Sequence, residues 1–350
     1  MELTQIGFNE TIKEAFEMVA KENQIIGRIS LEHKRMYRVW TEYGELLCEV
    51  SGKLAYTAQS REELPAVGDW VIVSPRILEE KGTIINILPR VSKFSRKVAG
   101  NSTEEQIVAA NVDTIFLVNS LNEDLNIRRI ERYLTLTWES GARPVIVLTK
   151  ADLVDDISEK VTLVESVAFG IPIIVVSIVN NIGLETLTTF LSPGKTVALL
   201  GSSGVGKSTL TNYLCGYNKQ EVQGIRESDA KGRHTTTNRE MVLLPNSAVL
   251  IDTPGMRELQ LWNSEEGISN SFSEIEEFAA YCKFRDCQHE KEIGCAVKLA
   301  IENGKIEEER LLSYKKLLRE LAFLERRQDK KAQSDQKKIW KNRNKQFKKM

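Results

Sequence analysis

VALLGSSGVGKSTL, residues 197–210, is the stretch on which the fold turns. An apolar run ends at Gly201. Ser202, Ser203, Gly204 and Val205 lead to Gly206, and Lys207, Ser208 and Thr209 open a helix-compatible segment. Glycines at this spacing let successive backbone N–H groups converge on phosphate oxygens at the start of a helix, where the helix dipole also favours negative charge. Lys207 adds a point charge towards the outer phosphates, and the Ser208 hydroxyl is a ligand for Mg²⁺. The segment predicts strand, phosphate loop and helix, the core of an α/β nucleotide-binding domain.

Further apolar runs flank it: TIFLVNS (114–120), PVIVLT (144–149), IPIIVVS (171–177), KTVALL (195–200), REMVLLP (239–245) and SAVLI (247–251). Helical patterns such as IRRIERYLTLTWES (127–140) lie between several of them, which predicts a mainly parallel sheet covered on both faces. SAVLI runs into Asp252-Thr253-Pro254-Gly255. An acid at a strand end is placed to hold Mg²⁺ through water, and Gly255 lets the backbone approach a terminal phosphate.

Base choice needs its own contact. VIVLT ends in Thr149-Lys150-Ala151-Asp152. A carboxylate there accepts from both N1–H and the exocyclic amine of guanine, a donor pair that adenine does not offer. The Lys150 stem can cover one face of the base, and the next strand ends at Val176-Ser177-Ile178, where a backbone N–H meets the guanine oxygen, with Ser177 the candidate. This base reader precedes the phosphate loop, the reverse of the usual order, so the domain is circularly permuted. Permutation preserves a pocket because domain termini lie close together.

The rest of the chain reads as two flanking parts. After an amphipathic opening helix (Phe8, Ile12, Phe16, Val19), the runs IIGRISLEH, RMYRVWTE, ELLCEV, DWVIVS and GTIINIL predict a five-stranded barrel of the oligonucleotide-binding type. Arg28, Lys34, Arg35, Tyr37 and Arg38 are its candidate RNA contacts. The polar stretch Ser92 to Gln106 reads as a separator. The expected domains are a barrel over 1–95, a permuted GTPase domain over 96–263 and a mainly helical, zinc-binding domain over 264–350. Net charge is only −1, so attraction to nucleic acid must come from local patches. No apolar run is long enough to span a membrane, and the opening residues lack a leader pattern, so a cytoplasmic location is expected. No heptad array points to a coiled-coil dimer, and a monomer is expected.

Of the 5 cysteines, Cys48 and Cys215 read as reduced buried thiols. Cys282, Cys287, His289 and Cys295 cluster, and three thiolates with one imidazole close a tetrahedral structural zinc site. His33 reads as structural or surface. An amphipathic helix follows (Ile306, Leu311, Tyr314, Leu318, Leu321), and then a basic tail with Trp340 and Phe347 interleaved, suited to phosphate contact and base stacking.

The permuted order, the barrel, Gly232-Arg233-His234-Thr235-Thr236-Thr237 before the last strand pair and the Cys/His knot together resemble the bacterial ribosome small-subunit-dependent GTPase A family over nearly the whole chain. The resemblance implies GTP hydrolysis coupled to late maturation of the small ribosomal subunit, contact with its rRNA, and faster hydrolysis on the subunit. One departure is Thr149, where the family usually has Asn; a hydroxyl keeps a hydrogen bond but loses the second amide group. In many GTPases a Gln after the Asp-x-x-Gly loop orients the attacking water, and here Met256 stands in that place. His234 is the candidate to position water, and Thr236 the candidate to complete the Mg²⁺ shell. Two other readings remain open from residues alone: an RNA-binding assembly platform in which nucleotide sets conformation and hydrolysis is incidental, and a permuted ATPase.

Overall fold

The computed structural model describes residues 1–33, 35–97, 105–216, 240–252, 265–323 and 326. The chain divides into two compact units: Met1–Lys97 with Glu104–Leu259, and Val98–Thr103 with Gln260–Met350.

In the first unit, helix α1 (Glu10–Glu17) is capped by the Asn9 side chain, which accepts from the Ile12 N–H at 3.1 Å. The barrel follows: β1 (Ile25–His33), β2 (Met36–Thr41), β3 (Gly44–Val50), helix α2 (Gly52–Thr57), β4 (Trp70–Arg76) and β5 (Lys81–Ile87). The strands run β1-β2-β3-β5-β4, and β4 pairs back onto β1, closing the expected five-stranded barrel. Alternation sends Ile29, Val39, Leu46, Cys48, Val71, Val73 and Ile84 into its interior, all essentially inaccessible. Burial also pushes the Cys48 thiol up to about 12, keeping it protonated.

One expected RNA contact, Arg28, is corrected here. Arg28 is 1% exposed. Its guanidinium donates to the carbonyls of Ile6, Gly68 and Asn111, the last at 2.9 Å, and lies 5.3 Å from the centre of the Trp70 ring. Burial lowers its pKa to about 10, still well above neutrality. Arg28 is an internal tie. Tyr37 points inward and is 3% exposed, whereas Arg35, Arg38 and His33 are at the surface; Lys34 is outside the described residues.

The polar stretch read as a separator also folds in large part. β6 (Lys93–Lys97) and β7 (Glu105–Ala110) form a two-stranded antiparallel sheet. The two strands share a buried apolar face, Phe94, Ile107 and Ala109.

The nucleotide-type sheet contains β8 (Thr114–Ser120), β9 (Arg143–Thr149), β10 (Ile173–Val175), β11 (Thr196–Leu200), β12 (Glu240–Leu243) and β13 (Val249–Asp252), in the order β10-β9-β8-β11-β13-β12. All its pairings are parallel except that of β12 with β13. Helices α3 (Ile127–Ser140), α4 (Ile157–Glu165), α5 (Leu184–Thr188) and α6 (Lys207–Cys215) lie between the strands. Phe116, Val118, Val145, Val147, Val197 and Leu199 share one cluster with Leu187 of α5 and with Leu210 and Leu214 of α6. Among the described residues one register pair, Leu31 with Glu240, joins β12 to β1 and makes the barrel and this sheet continuous.

The second unit holds α7 (Glu265–Ser271), α8 (Ser273–Ala279), α9 (Ala296–Glu302) and a helix over 308–323. Leu311, Tyr314, Leu317 and Leu321 form the buried stripe of that last helix. The Tyr314 hydroxyl donates to Glu276 of α8 at 2.6 Å.

Candidate functional site

The parallel strands all end on one edge of the sheet. The phosphate loop leaves β11, the Thr149–Asp152 turn leaves β9, and the Ser177 turn follows β10. This carboxyl edge is where parallel α/β sheets bind ligands. Order in the sheet replaces order in the chain, because only β8 separates β9 from β11.

Geometry fixes the glycines of the loop. A Cβ on Gly201 would sit 2.3 Å from the Val118 carbonyl oxygen, and Gly206 has a φ of +94°. Lys207 turns back into the loop, where its ammonium donates to the Gly201 carbonyl at 2.7 Å and to that of Ser202. Ser208 and Thr209 are exposed in the first turn of α6, with their hydroxyls accessible to a ligand at the helix N-terminus.

Thr149 is 4% exposed. Its hydroxyl lies 2.6 Å from the Val205 carbonyl and 3.3 Å from that of Asn119. The first residue of the base-reading turn is therefore fastened to the phosphate loop. Lys150 adopts a left-handed φ of 59°, which turns the chain sharply before Asp152. The Ser177 hydroxyl donates to the Asp152 carboxylate at 2.5 Å and orients it.

Among the backbone donors that follow β10 is the Ser177 N–H. That N–H already donates to the Ile182 carbonyl at 3.1 Å, whereas the N–H of Ile178 has no backbone acceptor among the described residues. Ser177 braces the carboxylate instead.

Two residues at this edge were not anticipated. Arg129, in the first turn of α3, donates to the Ser202 hydroxyl at 2.7 Å and pairs with Asp124 at 3.0 Å, and Ser202 in turn donates to Asp124 at 3.0 Å. Hydrogen bonding from Arg129 holds the Asp124 carboxyl below the usual carboxylate range, with Ser202 adding to the effect. This clasp fastens the front of the phosphate loop to α3. The only sequence signal for it was position: both charges flank the N-cap Asn126, just past the end of a parallel strand.

Asp252 closes β13, opposite Glu240 of β12. His234, Thr236 and Gly255 lie outside the described residues.

In the second unit, one ligand atom each from Cys282, Cys287, His289 and Cys295 lies within 4.8 Å of the others. The Cys282–Cys295 sulfurs are 3.9 Å apart, and His289 Nδ1 is 3.6 Å and 3.4 Å from those two sulfurs. A tetrahedral ion with metal–sulfur bonds of about 2.3 Å and metal–nitrogen bonds of about 2.0–2.1 Å requires edges of about 3.5–3.8 Å. The residues fit a structural metal ion. The Lys298 N–H donates to Cys295 Sγ at 3.4 Å, a bond that supports the thiolate from outside.

A parallel sheet with a phosphate loop on an inner strand, and a Thr-Lys-x-Asp turn two strands away but earlier in the chain, defines a circularly permuted phosphate-loop protein. The sequence profile of the RsgA GTPase family matches residues 87–262. "Small ribosomal subunit biogenesis GTPase RsgA 2" of Lactiplantibacillus plantarum is 47% identical, with 92% of this chain and 91% of that protein covered. The chain belongs to the RsgA GTPase family, and it is a GTPase. Among solved structures, YjeQ from Thermotoga maritima superposes with a TM-score of 0.64 at 29% identity, covering 85% of this chain and 99% of that one. YloQ, described as a circularly permuted GTPase, gives a TM-score of 0.59 at 24% identity over 88% and 96% of the two chains, in agreement with the fold.

Proposed function

We propose that this chain hydrolyses GTP during late maturation of the small ribosomal subunit, and that the subunit and its rRNA stimulate hydrolysis. The observation that supports the nucleotide half is the bond from Thr149 to Val205, which joins the base-reading turn to the phosphate loop. The names of the relatives support the ribosomal half.

In this reading Asp152, braced by Ser177, accepts from the guanine N1–H and amine, the Lys150 stem covers the base, and the Ile178 N–H meets the guanine oxygen. Gly201 to Gly206 supply backbone donors to the phosphates, Lys207 contributes its charge, and Gly255 approaches the terminal phosphate. Ser208, Thr236 and Asp252 hold Mg²⁺, which neutralises charge on the phosphates when bound. His234 positions the attacking water. The metal of the Cys₃His cluster is zinc, the ion suited to three thiolates and an imidazole. The working parts are 1–95, 96–263 and 264–350, with RNA contacts from the barrel surface at Arg35 and Arg38 and from the basic tail. The protein acts as a cytoplasmic monomer; no helix among the described residues is long and apolar enough to cross a membrane.

The test is GTP turnover with and without purified small subunits, alongside ATP. A large rise with subunits and no use of ATP is expected. His234→Ala should leave GTP binding intact and abolish the rise; turnover that ignores the subunit would overturn the ribosomal half alone.

A further inference from the structure

The barrel contains a β-bulge whose effect is to move a carboxylate from its outer to its inner face. In β1 and β2, Ile29 opposes Val39, but the register then shifts: Leu31 opposes Arg38 and Glu32 opposes Tyr37. Directly opposed residues of an antiparallel pair share a face. Had the register run on unbroken, Ser30 would oppose Arg38, Leu31 would oppose Tyr37 inside and Glu32 would point to solvent. Bulges are a common means of re-aiming a side chain next to a functional site.

Here the bulge re-aims Glu32 at a cavity. Glu32, Arg35, Tyr37, Arg61, Pro65 and Gln106 contribute to its walls, and its volume is about 250 Å³. That lies below the range of about 300–1,000 Å³ that houses a drug-sized ligand, and it suits a single heterocycle. Tyr37 is 3% exposed and lines the cavity. Burial pushes its hydroxyl up to about 12, so it keeps its proton and remains a donor at neutral pH. A hydroxyl that lines a cavity is placed to donate to whatever fills it. Arg35 and Arg61 are exposed at the rim, and the Pro65 ring and neighbouring Leu64 make part of the wall apolar.

We propose that this cavity receives one unstacked nucleobase of single-stranded RNA. The base lies against the Pro65 side, its polar edge meets the Tyr37 hydroxyl and the Gln106 amide, and the flanking phosphates pair with Arg35 and Arg61. Sequence-tolerant RNA contact of this kind combines a flat apolar wall, a few polar groups for the base edge, and cations for the backbone. The proposal rests on the reading of the barrel as an RNA-binding part.

The test uses the full chain and a short single-stranded oligouridylate carrying 5-iodouridine, with an abasic oligomer of equal length as control. Irradiation is expected to cross-link the peptide containing Tyr37. Tyr37→Phe should weaken binding of the base-bearing oligomer about three- to tenfold, the worth of one neutral hydrogen bond, without altering abasic binding or GTP turnover. Ala55→Trp, at an exposed helix position on the cavity wall, should abolish the cross-link by filling the space. Cross-links confined to other segments, with both variants binding as wild type, would overturn the cavity proposal and leave the RNA-binding barrel standing. Failure of both oligomers to bind would overturn both. Full competition by uridine monophosphate at equal nucleotide concentration would overturn the polymer as occupant.

Discussion

Thr149→Val removes one buried hydroxyl and leaves the shape of the side chain almost unchanged. The hydroxyl sits 2.6 Å from the Val205 carbonyl, and Thr149 itself is 4% exposed, so the substitution leaves a buried acceptor without its donor. Such a loss costs about 1–3 kcal/mol. In the free protein the phosphate loop can relax and let water reach Val205, whereas bound nucleotide needs the loop in place; most of the loss therefore appears in binding. The dissociation constants of GTP and GDP should both rise, by about tenfold, because the bond positions backbone common to both ligands. The ratio of GTP to ATP affinity should stay as in wild type, since Asp152 and Ser177 are untouched. Thr149→Asn, which offers an amide donor at the same place, should recover much of the affinity. Titration with fluorescent guanine nucleotides, beside a thermal melt to separate binding from folding, makes the measurement. A dissociation constant within about twofold of wild type would refute the claim that this bond holds the two loops together.

Asp152→Asn replaces an acceptor by a donor and should shift preference from GTP towards xanthosine triphosphate, whose base carries an oxygen where guanine has its amine; competition between the two nucleotides reads it. Arg28→Met leaves three carbonyls without their shared cation and should destabilise the first unit by about 3–5 kcal/mol, seen as a melting point lowered by at least about 6 °C. Chelation should reduce the helicity of the second unit before the first melts, and Cys287→Ser should reproduce this without chelator, as circular dichroism during a zinc titration will show. Arg129→Ala should loosen the clasp on Ser202 and weaken nucleotide binding about two- to fivefold. Because the folded Asp124 carboxyl is depressed, the clasp is complete above the ordinary carboxylate range and lost only as pH falls through the depressed value. The Arg129→Ala effect should accordingly be constant above about pH 5.

Strands and loops whose role is written in one local pattern were legible from sequence. Gly201 to Ser208 and the Cys₃His cluster carry their own geometry, and α3 was read with its boundaries because Asn126 and Gly141 cap it at both ends. Burial in the barrel was less legible. Arg28 looks like a surface cation in any local window, since its three acceptors lie 22, 40 and 83 residues away. The Asp124–Arg129–Ser202 clasp was invisible for the same reason, with 73 residues between Arg129 and Ser202. The β1 bulge escaped because an extra Ser in a β-rich run leaves composition unchanged; only the partner strand reveals that the alternation has slipped.

Strand β8 has a different consequence at each end. Its lead-in carries Asn111, whose carbonyl holds Arg28 of the barrel, and near its other end Asn119 presents a carbonyl to Thr149. Between those points runs β8, bonded to β9 on one side and to β11 on the other, about 20 Å of strand at 3.3 Å per residue. A stiff spoke of this kind has little slack. One strand thus anchors both the buried arginine of the barrel and the threonine of the base-reading turn.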